Sequence, residues 1–417
     1  MTHALRHLAW TLPVLALLAG CNGGDNAKPE PHAIATYAPA TWQDLPAVSD
    51  EDLLAGFYAW RSGCEKLRRD PVWAATCEAA GSDSASAAQV RTFLEQNLQV
   101  YGLRSAENSA NGLITGYYEP VYPGSLSPSA TNHVAVYGPP DDMIVVDLAS
   151  IYPELKGKRL RGRLDGRVLK PYDTAEVINR DGVKAPVLAW LTDPMDLQFL
   201  QIQGSGRVQL EDGRQLRLGY ADQNGHPYRP IGRWLVEQGQ LKKEDVSMGA
   251  IHAWAQANPQ RVPELLASNP SYVFFSTRPD SNEGPRGSLN VPLTAGYSVA
   301  IDRKVIPLGS LLWLSTTRPD GSPVVRPVGA QDTGGAITGE VRADPFWGTG
   351  PPAGDPAGHM KQPGQTWMPW PQGIPSPAVP ILPDHPAHSA SALGHDKPPH
   401  DRPSRHPHPP TPSHPAR

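Results

Sequence analysis

The stretch that decides the fold of this chain is Val328-Gly329-Ala330-Gln331-Asp332-Thr333-Gly334-Gly335-Ala336-Ile337. A mostly apolar run leads into a single acid, and a pair of glycines follows. This pattern predicts a β-strand that ends in a turn, with the carboxyl group of Asp332 at the rim of a β structure. Partial burial there would raise the pKa of Asp332 and keep a proton available near neutral pH. The alternative is a simple turn in which the aspartate bonds its own backbone.

Short apolar runs on both sides of this stretch predict a mainly β protein. Glycine, proline and Asp-Gly pairs separate the runs, as expected for strands joined by tight turns. The predicted strands are Met143–Val146, Val187–Leu191, Phe199–Ile202, Tyr272–Phe275, Ser298–Ile301, Leu311–Leu314 and Val324–Ala330. Asp165-Gly166 and Asp212-Gly213 occupy hairpin positions between candidate strands.

Two segments have helical spacing instead. Ser49-Asp50-Glu51-Asp52 resembles a helix start and precedes apolar residues at near-helical intervals, and a second helical stretch is predicted from Ala87 to Val100. Residues 231–267 are predicted to be helical as well. The part of the chain between its two polar ends is long enough for two domains.

The core of the sequence lacks most standard motifs for catalysis or cofactor binding. It has no Gly-x-Ser-x-Gly, no His-Glu-x-x-His and no cysteine-rich metal pattern, and Gln203-Gly204-Ser205-Gly206 is neither a Walker nor a Rossmann loop. We therefore predict no metal and no cofactor. Asp332-Thr333-Gly334 also matches the aspartic proteases, but these enzymes need two such carboxylates, so a single copy would require a symmetric dimer.

Seven phrases in a fixed order carry a family resemblance. They are Thr115–Pro120, Leu200–Gly206, Gly219–Ala221 with Asn224–Tyr228, Asn269–Phe275, Ala300–Gly309, the stretch around Asp332, and Asp344–Gly350. Together they resemble the membrane-bound lytic murein transglycosylase A family, including its C-terminal three-Asp domain. The resemblance extends over residues 90 to 370.

The resemblance implies a mainly β fold with two domains. Residues 41–119 and 266–370 would form a double-psi β-barrel packed with the N-terminal helices. Residues 120–265 would form an inserted second β-barrel domain. A groove between the two domains would hold a glycan strand.

The resemblance also implies an enzyme that cleaves the β-1,4 bond between N-acetylmuramic acid and N-acetylglucosamine in peptidoglycan and leaves a 1,6-anhydro ring. Asp332 matches the family's acid, and Asp302 and Asp344 match the other two acids of the domain, with supporting roles. The implied substrate-binding residues are Thr115, Tyr117, Tyr118, Gln201, Gln203, Gly204, Ser205, Asn224 and Trp347. Their aromatic side chains could instead fill a core. The alternative function is a non-catalytic, peptidoglycan-binding outer-membrane lipoprotein.

The N-terminus predicts export and lipid anchoring. Residues 1–20 contain a charged start and the short apolar run Leu8–Leu18, which is typical of a signal peptide. Leu18-Ala19-Gly20-Cys21 resembles a lipobox, so Cys21 is the expected lipidation site, and Asn22 implies the periplasmic face of the outer membrane. Residues 21–40 are predicted to be a flexible tether. The expected partners are glycan strands and other cell-wall enzymes.

The C-terminus and the composition limit the remaining possibilities. Residues 371–417 are rich in proline and histidine, so we predict a disordered tail; weak Zn²⁺ or Cu²⁺ binding is its alternative to a solvated extension. Charged residues make up 19% of the chain and the net charge is −4, which excludes a basic nucleic-acid-binding field. Cys64 and Cys77 are either a disulfide or two separate buried thiols.

The lipobox generates the first prediction. Replacing Cys21 with serine removes the thiol that would carry the lipid, so the variant should be released from the outer-membrane fraction or remain unprocessed. Cell fractionation and mass spectrometry of the N-terminal peptide measure both effects. Membrane fractionation identical to that of the native protein would contradict the lipobox interpretation.

Overall fold

The computed structural model describes residues 32–382, apart from 34, 156, 157, 159, 280, 379 and 380. The predicted signal peptide, Cys21 and most of the predicted tail lie outside the described residues. The predicted tether ends earlier than expected, because Ala35–Ala40 form a β-strand. At the other end, Pro371 is buried in a strand, so the tail begins later than expected. None of the helices within the described part of the chain is long and apolar enough to cross a membrane.

The described part of the chain contains both helices and strands. The helices are α1 Asp50–Ser62, α2 Cys64–Leu67, α3 Ala74–Ala79, α4 Ala87–Asn97, α5 Ala175–Asp181, α6 Pro194–Gln203, α7 Ile231–Glu237, α8 Met248–Ala257, α9 Val262–Ala267 and α10 Pro351–His359. The strands are β1 His32–Ala33, β2 Ala35–Ala40, β3 Leu98–Ser105, β4 Gly112–Thr115, β5 Tyr117–Glu119, β6 Val121–Ser125, β7 Val134–Tyr137, β8 Ile144–Val146, β9 Leu160–Asp165, β10 Val168–Pro171, β11 Val187–Leu191, β12 Ser205–Gln209, β13 Gln215–Gln223, β14 Val273–Arg278, β15 Ser298–Ile301, β16 Leu311–Thr317, β17 Pro323–Asp332, β18 Arg342–Thr349, β19 Lys361–Pro371 and β20 Ile381–Leu382.

Six of these strands close into a barrel. Their order around the ring is β16-β17-β15-β18-β4-β19, and β19 pairs with β16 to complete it. The ring mixes orientations, because β15 runs parallel to β17 and β18 runs parallel to β4. The strand β15 is buried along its whole length, as expected for a strand covered on both faces. The prediction of a mainly β fold with a closed barrel is therefore confirmed.

The N-terminal helices cover one side of the barrel. Helix α1 begins at the cap Ser49, whose side chain accepts a hydrogen bond from the backbone of Asp52. Its buried face, which includes Phe57 and Trp60, joins the barrel core. The helix approaches β17 closely at Gly56, where an added Cβ would lie 2.1 Å from the carbonyl oxygen of Pro327. The close contact between α1 and the strand that carries Asp332 therefore requires glycine at this position.

The inserted domain is built on a second sheet with the order β14-β13-β12-β6-β11-β7. Its edge strands β14 and β7 contact each other but are not hydrogen-bonded as a ladder in the described part of the chain, so the predicted second barrel is an open, curled sheet. Because β14 pairs with β13, the domain extends to Arg278 and the predicted boundary at residue 265 is too early. Both predicted hairpins are present, at Asp165-Gly166 and at Asp212-Gly213.

Two predictions of secondary structure are wrong. The run Phe199–Ile202, predicted as a strand, lies in helix α6. Asp193 caps this helix, Pro194 occupies its first turn and Gly204 ends it with a φ of 74°. The helix predicted to reach Val100 ends at Asn97, because Leu98 begins strand β3.

A disulfide joins the N-terminal helices. Cys64 of α2 and Cys77 of α3, which are 13 positions apart in sequence, are bonded to each other, and both are buried. Of the two arrangements that the sequence left open, the structure contains the disulfide. Closing a loop of this length restricts the unfolded chain and stabilises the fold by about 3 kcal/mol.

The disulfide generates the second prediction. The double variant Cys64→Ser/Cys77→Ser should lose about 3 kcal/mol of unfolding free energy, because its unfolded chain regains the freedom that the bond removes. Urea denaturation of the variant, with the native protein measured in parallel with and without reductant, tests this. Equal stability of the oxidised and reduced native protein would show that the bond contributes nothing.

Candidate active site

Asp332 lies at the end of β17, as its sequence pattern predicts. The pairing of β15 places Ala300 opposite Asp332 on one side and opposite Asp344 on the other. The barrel therefore brings the two acids to either side of one small residue. The side chain of Asp332 is half-buried, whereas that of Asp344 is buried.

The two carboxyl oxygens of Asp332 have different surroundings. Oδ1 accepts hydrogen bonds from the backbone N–H of Ser288 at 2.9 Å, the hydroxyl of Ser288 at 3.0 Å and the backbone N–H of Thr333 at 2.8 Å. Within the described residues, Oδ2 accepts a single hydrogen bond, from the hydroxyl of Tyr117 at 2.9 Å. Since three donors point at Oδ1, a proton on this carboxyl group is favoured at Oδ2.

Burial controls the proton affinity of Asp332. Desolvation of the carboxylate raises the pKa of Asp332, and the hydrogen bonds from Thr333, Ser288 and Tyr117 oppose that rise without reversing it. The surroundings also raise the pKa of Tyr117 well above its usual value, mainly through burial and then through the charge of Asp332. The tyrosine hydroxyl therefore stays neutral beside the acid.

Asp344 belongs to a second polar group on the neighbouring strands. Its Oδ1 accepts a short hydrogen bond from the hydroxyl of Thr115, which in turn accepts one from the Arg342 guanidinium at 2.8 Å. Burial raises the pKa of Asp344 to about 6, against the hydrogen bond from Thr115 and the charge of Arg342, both of which lower it. The charge of Asp332 adds to the rise.

Asp302 does not share these contacts. Its Oδ1 accepts from the backbone N–H of Lys304 at 3.0 Å, and its Oδ2 accepts from that of Gly339 at 3.0 Å. Both oxygens therefore bind backbone N–H groups, one in the turn that contains Asp302 and one in the loop that follows Asp332. The predicted supporting role of Asp302, to hold the proton on Asp332 by charge repulsion, stays a prediction, and the hydrogen bonds of Asp302 go to backbone instead.

Residues from the two domains meet at strand β5. The backbone N–H of Tyr118 donates to Oε1 of Gln203 at 3.1 Å, and Gln203 stands at the end of α6 in the inserted domain. The neighbouring Tyr117 reaches Asp332 in the barrel. Gln201 donates to the carbonyl of Val273 at 3.4 Å. The structure thus brings the two tyrosines and Gln203 to the junction beside the acid.

Gly204, Ser205 and Trp347 are three further residues that the sequence predicts to bind substrate. Gly204 is the left-handed cap of α6, and the half-buried Ser205 begins β12 directly after it. Trp347 is half-buried; its indole N–H is close to Gly116, where an added Cβ would lie 2.4 Å away, and the Arg318 guanidinium lies 5.6 Å from its ring centre. Protein groups therefore already contact this ring.

Asn224 does not fit its predicted role. Its side chain is 1% exposed. The amide nitrogen donates to the carbonyls of Asp173 and Pro270 at 2.8 and 2.9 Å, and the amide oxygen accepts from the backbone N–H of Tyr272 at 2.9 Å. The prediction that Asn224 binds glycan is wrong, because this amide is used to join three chain segments.

Sequence reasoning missed two polar residues of the site. Ser288 supplies two of the donors to Asp332, and Arg342 bonds Thr115 next to Asp344. Arg342 precedes Asp344 by two positions on one strand, which places both side chains on the same face. That spacing was an available signal, whereas Ser288 stands 44 residues from Asp332 in sequence and gave none.

One group of side chains in the described part of the chain has metal-ligand chemistry. The ligand atoms of Asp193, Asp196 and His252 lie within 4.8 Å of one another. Asp193 already caps helix α6 by accepting from the backbone of Met195 at 2.8 Å. The group belongs to the inserted domain and makes no contact with Asp332, and we assign no ion to it.

Comparisons with known proteins identify the family of the chain. The MltA specific insert domain family matches residues 113–276, and the 3D domain family matches residues 297–369. Membrane-bound lytic murein transglycosylase A from Escherichia coli (strain K12) is 33% identical over 286 residues, which cover 67% of this chain and 71% of the relative. The chain belongs to the membrane-bound lytic murein transglycosylase A (MltA) family.

Solved structures of the MltA family have the same fold. MltA from Neisseria gonorrhoeae superimposes with a TM-score of 0.72 at 36% identity and covers 82% of this chain and 94% of its own. E. coli MltA with bound chitohexaose gives a TM-score of 0.58 at 26% identity, with coverages of 82% and 96%. The chain is accordingly a peptidoglycan lytic transglycosylase, and neither the aspartic protease nor the non-catalytic binding protein is retained.

Asp344 generates a prediction about stability and pH. An ordinary aspartate has a pKa near 3.9, and Asp344 has one of about 6 in the folded enzyme. The folded state therefore holds this proton more tightly than the unfolded state, and native stability falls as the pH rises between these values. Asp344→Asn removes this dependence, so the unfolding free energy of the variant relative to the native enzyme should increase by about 2 kcal/mol from pH 4 to pH 7.

Denaturant unfolding at both pH values measures this difference. Asp141→Asn, at an exposed aspartate of the inserted domain, is the matched control and should show little change. A constant difference between native enzyme and Asp344→Asn at the two pH values would exclude a raised pKa for Asp344.

Proposed function

We propose that this enzyme cleaves the β-1,4 bond between N-acetylmuramic acid and N-acetylglucosamine, with Asp332 as both acid and base. The observation that carries the proposal is that the two carboxyl oxygens of Asp332 accept different numbers of hydrogen bonds. Three donors engage Oδ1, burial raises the pKa, and Oδ2 faces the neutral hydroxyl of Tyr117. This arrangement supports a carboxylic acid that keeps its proton on Oδ2.

In the first half of the reaction Asp332 acts as the acid. Its Oδ2 proton passes to the glycosidic oxygen, the bond from that oxygen to C1 of N-acetylmuramic acid breaks, and the N-acetylglucosamine side leaves with a new hydroxyl group. In the second half the O6 hydroxyl of the same N-acetylmuramic acid forms a bond to C1. Its proton passes to Asp332, which restores the acid and leaves a 1,6-anhydro ring.

One carboxyl group is sufficient for this chemistry. Most glycosidases need a second carboxylate as base or nucleophile. Here the nucleophile is tethered to the reacting sugar, and intramolecular attack reaches effective molarities on the order of 10⁵ M or more. A second protein nucleophile is unnecessary.

Asp344 has a supporting role in the proposal. Asp344 is balanced by Arg342 through Thr115, whereas Asp332 forms no ion pair in the described part of the chain. Two ionised carboxylates on either side of Ala300 repel each other, so the pair retains a proton more readily than either acid alone. We assign that proton to Asp332, because only Asp344 has a nearby cation.

The glycan strand would lie in a groove where the inserted domain meets the barrel. Tyr118 and Gln203 join the two domains, and Tyr117 connects this junction to Asp332. Gln201 and Ser205 are the further polar candidates for sugar hydroxyl and N-acetyl groups. The E. coli relative has been solved with bound chitohexaose, a sugar oligomer, which supports a site of this kind.

We also propose where the enzyme is located in the cell and which type of barrel it contains. Lipidation at Cys21 would hold it at the periplasmic face of the outer membrane, where other cell-wall enzymes are expected partners. The E. coli relative is named as membrane-bound. The ring of six strands with two parallel pairs is compatible with a double-psi barrel.

The catalytic proposal predicts that Asp332→Asn retains the fold and glycan binding but loses cleavage. The loss should be at least 10²-fold, the lower end of the ~10²–10⁴-fold contribution of general acid catalysis. Mass spectrometry of digested sacculi should show products of the native enzyme that end in 1,6-anhydro-N-acetylmuramic acid.

Asp302→Asn is the comparison variant, because its oxygens bond backbone N–H groups and make no contact with Asp332. Two results would overturn the mechanism. One is incorporation of oxygen from labelled water at the reducing end, which means hydrolysis. The other is an Asp332→Asn variant that cleaves well while Asp302→Asn or Asp344→Asn does not.

A further inference from the structure

The segment that returns from the inserted domain to the barrel has little regular structure of its own. It follows β14 at Pro279 and leads to Ser288, one of the partners of Asp332. Within residues 281–293 the structure contains an isolated bridge between Arg286 and Pro292. The turn around Ser288 has backbone hydrogen bonds of its own, from the N–H of Gly287 to the carbonyl of Val291 and from that of Leu293 to the carbonyl of Pro285. Contacts from outside the segment fix where this turn lies relative to Asp332.

Two buried arginines of the inserted sheet supply the outside contacts at the start of the segment. Arg217 donates to the carbonyls of Pro279 at 3.3 Å, Glu283 at 3.0 Å and Gly284 at 2.9 Å. Arg207 donates to the carbonyls of Ser281 at 3.3 Å and Glu283 at 3.1 Å. The carbonyl of Glu283 thus accepts from both guanidinium groups. The rigid fork of arginine suits such multiple contacts.

After Gly284 the segment packs closely against the end of β17. At Gly287 an added Cβ would lie 2.5 Å from the carbonyl oxygen of Gln331 and 3.2 Å from Cβ of Asp332. The backbone N–H of Leu289 donates to the carbonyl of Gln331 at 3.0 Å. Ser288, between them, directs both its N–H and its hydroxyl to Oδ1 of Asp332. A small displacement of the segment would separate these groups.

We infer that Arg217, assisted by Arg207, is a positioning residue for the reaction: it clamps the returning segment, holds Ser288 against Oδ1 of Asp332, and so directs the acid proton to Oδ2. The inference rests on the proposed role of Asp332. It gives the inserted domain a part in setting the proton position of the acid in addition to any part in holding glycan. Arg217 is suited to this task because its described partners are backbone carbonyls of the returning segment.

Three variants test the clamp. Ser288→Ala removes one donor to Oδ1, and Arg217→Gln removes the three hydrogen bonds from Arg217 to the start of the segment. Arg217→Lys retains the charge and part of the contacts. Arg214→Gln is the matched control, since Arg214 is exposed on the same hairpin and pairs with Asp212.

The first readout is the titration of the Asp332 carboxyl carbon by ¹³C NMR, which does not depend on cleavage. Loss of donors to Oδ1 destabilises the carboxylate, so the pKa of Asp332 should rise in Ser288→Ala and Arg217→Gln relative to the native enzyme. Arg217→Lys should give an intermediate titration curve, and Arg214→Gln should match the native curve. A variant that is only less stable would titrate like the native enzyme while folded.

The second readout is the pH profile of cleavage. Activity requires protonated Asp332, so its loss at high pH should move to higher pH in the two variants, while kcat falls on the order of tenfold and KM changes little. Native titration curves in both variants would overturn the inference. So would a shift in Ser288→Ala without one in Arg217→Gln, because the clamp would then not act through Ser288.

Two further outcomes are informative. If Arg217→Gln does not fold, Arg217→Lys decides the matter: a raised pKa of Asp332 supports the clamp and a native titration curve refutes it. If the native enzyme releases no 1,6-anhydro products but the titration shifts occur, the proposed function fails and the positioning of Asp332 by this clamp stands.

Discussion

The pairing of one small residue with two acids is the constraint on which the site depends. In the closed ring, β15 lies between β17 and β18, so Ala300 faces Asp332 across one ladder and Asp344 across the other. Closure of the barrel therefore brings two carboxyl groups together in a partly dry place. Like charges there are unfavourable unless one is neutral or compensated. Arg342, acting through Thr115, compensates Asp344 and leaves Asp332 as the acid without a cation.

This asymmetry explains how an acid surrounded by donors can still hold a proton. The donors from Ser288 and Thr333 would lower the pKa of Asp332 in an open setting. Desolvation outweighs them, so their main consequence is directional: they occupy Oδ1 and leave Oδ2 to Tyr117. A carboxyl group with one defined proton position is suited to a reaction in which the same oxygen first gives and then takes a proton. In the proposed reaction the O6 hydroxyl of the substrate takes the place of the second carboxylate of an ordinary glycosidase, and Asp344 gives only electrostatic support.

Strands and turns that depend on a few neighbouring residues could be predicted from the sequence. The strand that ends at Asp332, the strands around it and the hairpins at Asp-Gly pairs follow from alternation and turn chemistry over a few residues. Phe199–Ile202 was mistaken for a strand because a short apolar run has no period of its own; the signals that decide it, Asp193, Pro194 and Gly204, stand outside the run. Asn224 was misjudged because its partners are backbone groups distant in sequence, which composition does not show. Ser288 was missed for the same reason.

The two crossings between barrel and inserted domain are tied together by Arg207. On the outgoing side its Nε donates to the buried carboxylate of Glu119 at 2.9 Å, which also accepts from the hydroxyl of Thr349 at 2.7 Å. On the returning side its other nitrogens hold Ser281 and Glu283. Desolvating such an ion pair offsets much of its attraction, so its value to overall stability is small. Its value lies in geometry, because removing either partner would leave a buried charge alone, and the pair therefore holds the two crossings together. The insertion point of the domain is therefore also the place where the position of the catalytic acid is set.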